Sequence, residues 1–557
     1  MPISFRLDTI TLNSGDTIEV PESGTVVIVG PNNAGKSTLL KEMISRLQTG
    51  AAATIVNSVS TQTSGTNVEM SQWLSKNFEE LAGKKQRTFQ VNGSDIREIN
   101  ILSDWRNGAP VTLLNSSALF CYQTTGAQQQ SNATNFSSFD VLKNAPATPV
   151  QRMYVDEDLE SEMSDHFRRA FGIRLFVNRA GGNRIPVHCG DRPLLNAGET
   201  CFTRSYLERV NQVPSLSKQG DGMKSFAGAM FTVCANNGFL ICFDEPELFL
   251  HPPQARELGR FFANHKPAGK QLVIATHNSA LIRGLLDVDS SDAKIIRLTR
   301  SGNLNHANTL SDDDLEQFWS DPILRYSDAL DGIFHEKVFV VESDSDCHFY
   351  AAMMNGLAES QDTQMPNVMF VPCGGKHRIK TVVSALRALR VNAHAIVDID
   401  IFDCAKTLQS LIESLGANWD QFSDLHRNVK NSFEQLSPPQ NANQVSERIR
   451  EILDNIETAN FERQNERDIR DAMRAVSPWR LAKRTGINHL QGNALVEARQ
   501  LVSDLKNIGL HVLSIGEIER FVPTIAEHGP AWASAALERD LINDPELQAA
   551  RDFISRL

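Results

Sequence analysis

Short apolar runs recur along the chain, and most of them end in polar residues. Continuous apolar runs of about five residues are typical of strands buried in a parallel sheet. A glycine-rich loop and a predicted helix at residues 36–47 follow one of the first runs. A second helix, acidic at its start and basic at its end, is predicted at residues 156–171. We therefore predict an α/β fold here, with strands at residues 3–12, 17–20, 25–29, 239–243 and 272–276.

A second alternation of strands and helices begins near residue 331. Its predicted strands lie at residues 337–341, 368–372, 393–397 and 510–513. This repetition predicts a second α/β domain. The expected division is residues 1–330, with peripheral strands and helices at about 51–215, and residues 331–557, with a helical insertion at about 405–500.

Within that insertion, residues 444–474 are dense in Glu and Arg and contain neither Gly nor Pro. The simplest interpretation is a solvated helix with ion pairs between residues four apart. The alternative is contact with a DNA backbone, because the end of the insertion is locally basic around Trp479. The basic residues there are Arg474, Arg480, Lys483 and Arg484.

Composition excludes several classes of protein. Hydrophobic residues make up 41% and charged residues 22%, which rules out a mainly disordered chain. The formal charge of −12 excludes a generally basic nucleic-acid coat protein but permits a local basic groove. The sequence contains no secretory signal and no run of about 18 apolar residues, so we expect no membrane contact. The eight cysteines form no CxxC pair, which favours reduced thiols and a cytoplasmic location over a zinc site.

Residues 30–38 match the phosphate-binding pattern GxxxxGK[ST] at every fixed position, between an apolar strand and a helix. The backbone N–H groups of such a loop converge on phosphate oxygens, and the helix N-terminus adds positive potential. Lys36 is expected to reach the β- and γ-phosphates, and the Ser37 hydroxyl to bind Mg²⁺. The residues predicted to bind ATP and its Mg²⁺ are Gly30, Asn33, Gly35, Lys36, Ser37, Thr38 and Asp244.

Two further strands complete this predicted ATP site. The first ends in Asp244 and Glu245. Asp244 is expected to hold Mg²⁺, and Glu245 to act as the general base for the attacking water. The second ends in Thr276 and His277, and His277 can sense the γ-phosphate because ligands of α/β sheets bind at this edge. The alternative is that the two acids only cap a helix.

This order of strands and polar residues resembles that of ABC-type ATPases. In that resemblance, Asp244 and Glu245 form the Walker B pair and His277 is the switch histidine. The family also needs a signature segment that completes the ATP site of a partner subunit. Residues 217–225 are the best candidate, although they lack the order found in transporters. The resemblance therefore implies a homodimer or a higher homo-oligomer.

Other features indicate which branch of the ABC-type ATPases the chain resembles. Residues 244–252, DEPELFLHP, look like the branch of the family that handles DNA ends and recombination. The roughly 200 residues between Lys36 and Asp244 contain no heptad run, which excludes a long-armed SMC-type tether. Gln123 is either a Q-loop residue or a structural glutamine.

The second domain contains two strands that end in acidic residues. One precedes Glu342 and Asp346, and the other precedes Asp398 and Asp400. Alternation along a strand would put Asp398 and Asp400 on one face, and parallel neighbouring strands would bring both pairs to one sheet edge. So many carboxylates would repel one another without a cation, and their oxygens suit Mg²⁺ or Mn²⁺. The alternative is two acidic clusters that cap helices.

These strands resemble the TOPRIM fold, in which Glu-Gly ends one strand and Asp-x-Asp a later one. Ser343 stands where Gly is usual. An ABC-type ATPase followed by TOPRIM is the layout of the OLD (overcoming lysogenization defect) nuclease family, which Gabija-type defence nucleases share. That resemblance implies a further metal ligand at Glu519 or, as the less favoured alternative, Glu517. Many members have a basic catalytic residue near the C-terminus, usually Lys, but no Lys follows Glu519 here.

The resemblance implies an ATP-gated, metal-dependent DNA endonuclease of anti-phage defence. Glu342 and Asp398 are the expected catalytic acids of the nuclease, and Glu245 and His277 those of the ATPase. Two cations about 4 Å apart would activate water and stabilise the leaving oxygen. Metal ligands are expected to be Ser37 and Asp244 in the first domain, and Glu342, Asp346, Asp398, Asp400 and Glu519 in the second.

Two other functions are alternatives to the nuclease. One is a non-cleaving, ATP-dependent DNA-repair or recombination module with a structural TOPRIM domain. The other, a topoisomerase, needs a tyrosine nucleophile domain, and none of the five tyrosines lies in such a context. Some systems of this kind work with a helicase or with a retron's reverse transcriptase and RNA. No residue identifies the partner, the DNA preference, or whether ATP activates or inhibits cleavage.

Overall fold

A computed structural model gives the fold of most of the chain, and its residues form two compact units, Met1–Ser320 and Asp321–Leu557. Both units are α/β, as predicted. The structure describes residues 3–50, 53–91, 94–105, 117–133, 137–142, 146, 148–235, 238–265, 269–288, 293–436, 441–456, 461–473 and 478–557.

The first unit is built on a six-stranded sheet with the order β14-β13-β3-β12-β11-β8. All its pairings are parallel except that of β14 with β13. Strand β3 is buried along its whole length, as its apolar sequence predicts. The strands of the unit are β1 (Ser4–Leu12), β2 (Thr17–Glu19), β3 (Gly24–Val29), β4 (Val56–Ser64), β5 (Glu79–Glu80), β6 (Thr88–Val91), β7 (Ser94–Arg97), β8 (Cys121–Thr125), β9 (Leu175–Val177), β10 (Val187–Cys189), β11 (Leu240–Asp244), β12 (Gln271–Ala275), β13 (Ala293–Ser301) and β14 (Leu304–Thr309).

Strand β8 corrects the expectation that residues 51–215 are only peripheral. It forms one edge of the main sheet and pairs in parallel with β11, so that Thr125 lies opposite Asp244. Its sequence, CYQTT, has no continuous apolar run and therefore gave no signal of a buried strand. Other strands of this region do form small separate sheets, β2-β1-β4, β5-β6-β7 and β10-β9.

The helices of the first unit include α1, which begins directly after the phosphate-binding loop. It buries Leu39, Leu40 and Met43 in the apolar core beside β3. The helices are α1 (Lys36–Thr49), α2 (Asn67–Asn77), α3 (Glu98–Asp104), α4 (Ser117–Phe120), α5 (Gly126–Asn132), α6 (Pro149–Val155), α7 (Glu157–Phe171), α8 (Arg204–Gln212), α9 (Asp221–Ala235), α10 (Pro252–Asn264), α11 (Ser279–Leu286) and α12 (Asp312–Ser320).

The second unit has a four-stranded, fully parallel sheet with the order β16-β15-β17-β18. One face packs through Phe339 and Val341 against an apolar core that includes Phe349 and Trp532. Parallel strands end at the same edge, so residues that follow β15, β17 and β18 are brought together. The strands are β15 (Lys337–Val341), β16 (Val368–Pro372), β17 (Ala393–Val397) and β18 (Leu510–Val512).

Most of the helices of the second unit lie between β17 and β18, where the helical insertion was predicted. The helices are α13 (Pro322–Tyr326), α14 (Asp344–Ser360), α15 (Lys376–Ala388), α16 (Ala405–Ser414), α17 (Ser423–Leu436), α18 (Ala442–Asp454), α19 (Arg463–Met473), α20 (Pro478–Thr485), α21 (Gly492–Asn507), α22 (Pro530–Leu537) and α23 (Gln548–Ile554).

The Glu- and Arg-rich part of the insertion is not one helix, since α18 ends at Asp454 and α19 begins at Arg463. Helix α18 buries no residue, as expected for a solvated helix. Arg474 lies outside the described residues. Across the residues that the structure describes, no helix has the length and apolar character needed to cross a membrane.

Candidate functional site

The phosphate-binding loop runs from the end of β3 to the start of α1, and its glycines have backbone conformations that other residues rarely adopt. Gly30 has a φ of +139°, and a Cβ atom there would lie 2.1 Å from the Leu298 carbonyl oxygen. Gly35 precedes the first residue of α1 with a φ of +93°. Asn33 is also left-handed, with a φ of 65°. These backbone conformations form a loop that leads directly into the N-terminus of α1.

Lys36 points back into this loop. Its ammonium group donates hydrogen bonds to the carbonyl oxygens of Gly30 at 2.8 Å and Pro31 at 3.1 Å. Burial lowers the pKa of Lys36, and the nearby carboxylates, foremost Glu245, oppose this effect. Phosphate oxygens would be stronger partners for this ammonium group than two carbonyls.

Ser37 and Asp244 join the loop to the neighbouring part of the sheet. The Ser37 hydroxyl donates a hydrogen bond of 2.8 Å to Asp244 Oδ1. Asp244 ends β11 and is largely buried. Thr38, the next residue of α1, is exposed. The two oxygens of the Ser37–Asp244 pair are a donor set that suits Mg²⁺.

Glu245 and His277 lie at the same edge of the sheet, after β11 and β12. His277 Nδ1 is 3.0 Å from Glu245 Oε1. Glu245 has a left-handed backbone, with a φ of 52°, which is uncommon for a residue with a side chain. Its backbone N–H is held by the Ala275 carbonyl at 2.9 Å. The structure thus brings the predicted base and the predicted switch histidine into direct contact.

Glu247 also belongs to this site, although it was not among the predicted site residues. Its carboxylate is buried and accepts a 2.6 Å hydrogen bond from the Thr276 hydroxyl. Burial raises the pKa of Glu247 to about 7. Its one signal in the sequence is its place in the run DEPE, residues 244–247. A strand followed by helix-capping acids does not require a glutamate at position 247.

The candidate signature segment lies at the start of a helix, as predicted. Residues 216–218 form a 3₁₀ turn and α9 begins at Asp221. Gln123, in contrast, lies inside β8 opposite Cys242. A residue paired within a strand is not in a loop, which favours the structural alternative for Gln123.

At the end of the second unit's sheet, the structure brings three carboxylates together. One oxygen of each of Glu342, Asp398 and Asp400 lies within 4.8 Å of the others. These three carboxylates, all in the described part of the chain, could therefore hold a metal ion. Glu342 follows β15, and the two aspartates follow β17. The packing of two parallel strands, β15 and β17, therefore produces the predicted cluster.

The predicted cause of the Asp398–Asp400 pairing was wrong. Strand β17 ends at Val397, and Asp398 directly precedes a 3₁₀ helix formed by Ile399–Asp403, without a capping hydrogen bond from its side chain. The two carboxylates therefore do not alternate along a strand. The tight turn keeps Asp398 and Asp400 close instead, while Ile399 and Ile401 are buried.

Lys483 also belongs to this site, which the sequence analysis did not predict. Its ammonium group lies 2.8 Å from Asp398 Oδ2, 3.9 Å from Asp400 Oδ2 and 3.8 Å from Glu517 Oε2. It was expected to belong to a basic surface around Trp479. Trp479 is in fact buried and packs against Phe433, which turns the other side of α20 toward the acids.

Gly516 explains how α20 reaches the site. It has a φ of +121°, and a Cβ atom there would lie 2.1 Å from the Lys483 carbonyl oxygen. Its own carbonyl accepts a 2.9 Å hydrogen bond from the Ile399 N–H. Gly516, three residues before Glu519, thus lets the backbone of α20 pack onto the turn that holds Asp398.

The other predicted metal ligands lie close by but in different surroundings. Asp346 caps α14, and its carboxylate accepts a 3.0 Å hydrogen bond from the Ser343 N–H. Glu519 accepts a 3.0 Å bond from the Gly529 N–H. Burial raises the pKa of Asp346, and the Glu519 carboxylate adds to that effect. Glu517, not Glu519, is the later acid that contacts Lys483.

Ser343 replaces the usual glycine without strain. Its φ of −138° and ψ of 165° are extended, and any residue can adopt them. The Ser343 hydroxyl accepts a hydrogen bond from the Asp346 N–H at 3.3 Å and completes a reciprocal cap of α14. Serine is therefore compatible with this turn, and its hydroxyl adds a helix cap.

The charges of the acidic site are only partly balanced. Six carboxylates surround it. The cations in contact with them are Lys483, Lys376, whose Nζ lies 2.9 Å from Asp400 Oδ2, and Arg520, whose guanidinium lies 3.5 Å from Glu517 Oε1. Burial raises the pKa of Asp398 to about 8, and the Glu342 carboxylate contributes, although Lys483 acts against both. Burial also raises the pKa of Glu342, with Asp400 next in importance. The acids are Glu342, Asp346, Asp398, Asp400, Glu517 and Glu519.

Two family models match the chain. Residues 192–283 match an AAA domain whose description names AbiEii toxin and Type IV TA system. Residues 333–400 match the TOPRIM domain of overcoming lysogenization defect protein-like proteins. The first segment contains Asp244, Glu245 and His277, and the second contains Glu342, Asp398 and Asp400.

One curated relative is the Old nuclease of Escherichia phage P2, which is 22% identical over 198 residues, or 32% of this chain. The alignment spans about a third of that protein, 33% of its length. Among solved structures, the SmcHead bound to the C-winged helix domain of ScpA is 11% identical, with a TM-score of 0.32 over 57% of this chain and all of that one. The SMC head domain from Thermotoga maritima is 12% identical, with a TM-score of 0.28 over 55% of this chain and 99% of that one.

The matched segments agree with the two units in order and in the residues that they contain, and they confirm the predicted fold class. The acids that end β15 and β17 fall within the OLD-like segment, and the acids that end β11 within the ATPase segment. The chain therefore carries a segment that matches an AAA-type ATPase domain, followed by a segment that matches the TOPRIM domain of overcoming lysogenization defect (OLD) protein-like proteins.

Proposed function

We propose that this protein is an ATP-gated, divalent-metal-dependent DNA endonuclease of anti-phage defence. In this proposal, residues 1–330 bind and hydrolyse ATP and residues 331–557 cleave phosphodiester bonds. The observation that carries it is the cluster of Glu342, Asp398 and Asp400 within 4.8 Å, at the edge of a parallel sheet. Such a cluster is costly to fold without a cation, and it occurs in a chain that also has a formed phosphate-binding loop.

A divalent cation fits the residues of the acidic site. Their oxygens are hard ligands of the kind that Mg²⁺ and Mn²⁺ prefer. The two lysines and Arg520 are fewer than the six carboxylates and balance only part of their charge. Glu342, Asp398 and Asp400 would hold the cation, with Asp346 and Glu519 as further ligands. When bound, the cation supplies a water of lowered pKa and stabilises the leaving oxygen.

Lys483 supports the nuclease reaction in two ways. It holds the Asp398 carboxylate in a fixed orientation at 2.8 Å. Burial alone would lower the pKa of Lys483, but the surrounding carboxylates, foremost Asp398, raise it, so the ammonium group keeps its proton. A permanent positive charge here can stabilise the charge that develops on a phosphate during cleavage. We assign Lys483 the role of the basic residue that the chain lacks after Glu519.

In the ATPase unit, each predicted residue has a role that its contacts support. Lys36 would exchange the carbonyls of Gly30 and Pro31 for phosphate oxygens. Ser37 and Asp244 would hold Mg²⁺. Glu245 would accept a proton from the attacking water, and His277, at 3.0 Å from it, would orient that carboxylate.

The partners in this proposal follow from the same family layout. DNA is the substrate, and residues 217–225 would complete the ATP site of a second copy, so the protein would work as a homodimer or a higher homo-oligomer. A helicase-like protein or a retron reverse transcriptase with its nucleic acid would act with it in the cytoplasm.

Incubation of the pure protein with supercoiled plasmid tests this function. The reactions contain Mg²⁺, Mn²⁺ or EDTA, each with and without ATP. We expect nicked or linear DNA only with a divalent cation, and a yield that changes with ATP. DNA binding that depends on ATP, without cleavage under any of these conditions, would support the repair module instead.

A further inference from the structure

A basic cavity of about 230 Å³ opens beside the acidic cluster, between α15 and α16. Its wall includes Lys376, His377, Lys380, Cys404, Lys406 and Thr407. The cavity is linked to the acidic cluster by one contact, since Lys376 Nζ lies 2.9 Å from Asp400 Oδ2. It therefore lies next to the place where the proposed function puts the scissile bond.

The charges of this cavity are all of one sign. Three ammonium groups and one imidazole line it, and no carboxylate is among the lining side chains. Lys376 is engaged by Asp400. Lys380 and Lys406 are exposed, and neither forms an ion pair within the described part of the chain. Two free ammonium groups in a concave site are suited to an anion of phosphate size.

The backbone adds to the positive potential. Helix α16 begins at Ala405, at the wall of the cavity, with Cys404 as its N-terminal flanking residue and no side-chain cap. The N-terminus of a ten-residue helix presents free N–H groups and the positive end of its dipole. Hydrogen bonds from Thr407 lower the pKa of the exposed Cys404 thiol, which lies at this helix N-terminus and is therefore a reactive probe of the cavity.

We propose that this cavity binds a phosphate group of the DNA strand, adjacent to the phosphate that is cleaved. Lys380 and Lys406 would hold its oxygens from the two helices, and Lys376 would bridge between this phosphate and Asp400. The inference rests on the proposed nuclease function and adds the position at which the substrate strand is held.

Binding of a fluorescently labelled duplex, measured by anisotropy without divalent cations, tests the phosphate site independently of cleavage. The variant combines Lys380→Gln with Lys406→Gln. The matched control combines Lys85→Gln with Lys506→Gln, two exposed lysines that are not among the residues lining the cavity. We expect the cavity variant to bind about tenfold more weakly, and its logarithmic salt dependence to fall by about 1 to 2, while the control binds like wild type.

Unchanged affinity and salt dependence in the cavity variant, with wild-type protein that binds DNA, would overturn the phosphate site and leave the nuclease proposal standing. Wild-type protein that binds no DNA would also overturn the phosphate site, while cleavage in the plasmid reaction with a divalent cation decides the nuclease proposal separately. Thermal unfolding of each variant confirms that any loss is not caused by misfolding.

Alkylation of Cys404 by iodoacetamide, followed by peptide mass spectrometry, locates the contact. The exposed Cys201 of the first unit serves as the internal reference. We expect duplex DNA to slow Cys404 alkylation severalfold relative to Cys201. Duplexes with and without a 5′-phosphate distinguish a terminal from a backbone phosphate, and protection by either supports the site. Protection by inorganic phosphate alone, or by none of the three, would overturn it.

Discussion

The ammonium group of Lys483 lies 2.8 Å from Asp398 Oδ2, although the two residues are far apart in the chain and Lys483 comes from the helical insertion. This contact makes the insertion part of the acidic site. It also places a fixed positive charge where the family resemblance implied a lysine from further along the chain.

Lys483→Gln should lower DNA cleavage at least tenfold, because the substitution removes the charge that faces the reacting phosphate and frees Asp398. Cleavage rates at saturating metal measure the effect. Arg480→Gln is the matched control, since Arg480 is exposed on the same helix. Equal cleavage by the Lys483 variant and the control would contradict this role.

Lys36→Ala should abolish ATP turnover, and Glu245→Gln should leave ATP bound but not hydrolysed. The first change removes the ammonium group that lies in the phosphate loop, and the second removes the base held by His277. Phosphate release and retention of labelled ATP on a filter separate the two outcomes. Lys41→Ala, further along α1, is the control. A normal hydrolysis rate in either variant would contradict the assigned roles.

Gly516→Ala should destabilise the second unit by about 2–4 kcal/mol and lower cleavage, because its Cβ would collide with the Lys483 carbonyl in a left-handed backbone. Gly492→Ala is the matched control, since Gly492 also has a positive φ but no atom within 4 Å of a new Cβ. It should cost about 1 kcal/mol. Denaturant unfolding measures both, and equal losses would show that the collision does not matter.

His511 should make the second unit less stable as the pH falls below neutral, while the buried acids, whose pKa values are raised, have the opposite effect. Burial lowers the pKa of His511 to about 3, and the neighbouring His394 adds to the effect. The folded state therefore keeps the ring neutral, whereas the unfolded state binds a proton below about pH 6.5. The stability from this residue is complete above pH 6.5 and is lost progressively as pH falls toward 3. Between pH 7 and pH 5 the loss from His511 alone should be about 2 kcal/mol.

His511→Phe tests this dependence. The aromatic ring can still pack against Phe339, whose ring centroid lies 5.4 Å from that of His511. Relative to wild type, the variant should gain about 2 kcal/mol in free energy of unfolding between pH 7 and pH 5. Identical pH profiles would mean that His511 does not titrate as described.

The sequence predicted those parts of the fold and site that depend on local pattern. Apolar runs located β3, β11, β12 and β15, and the fixed spacing of the phosphate-binding loop located Lys36 and Ser37. Strand β8 was missed because its side chains are mainly polar and its partner, β11, is more than a hundred residues away. A strand of that kind is set by pairing, which no local pattern records.

The acidic site was predicted in composition but not in geometry. Glu342, Asp398 and Asp400 were expected together, and they are, but a 3₁₀ turn and not a strand holds the two aspartates. Lys483 could not be assigned from its neighbours in sequence, which are basic. Its position depends on the burial of Trp479 and on the close approach of α20 to Gly516, both of which are long-range contacts.

Cleavage of plasmid DNA by Asp398→Asn, compared with Asp403→Asn, tests the central claim most directly. Asp403 is an exposed acid at the end of the same turn, so the pair separates the acidic site from the segment that carries it. With Mg²⁺ or Mn²⁺ and ATP, we expect wild type and Asp403→Asn to cleave and Asp398→Asn to lose at least a hundredfold in rate, with ATP hydrolysis retained by all three. Cleavage by Asp398→Asn at the wild-type rate would contradict the account.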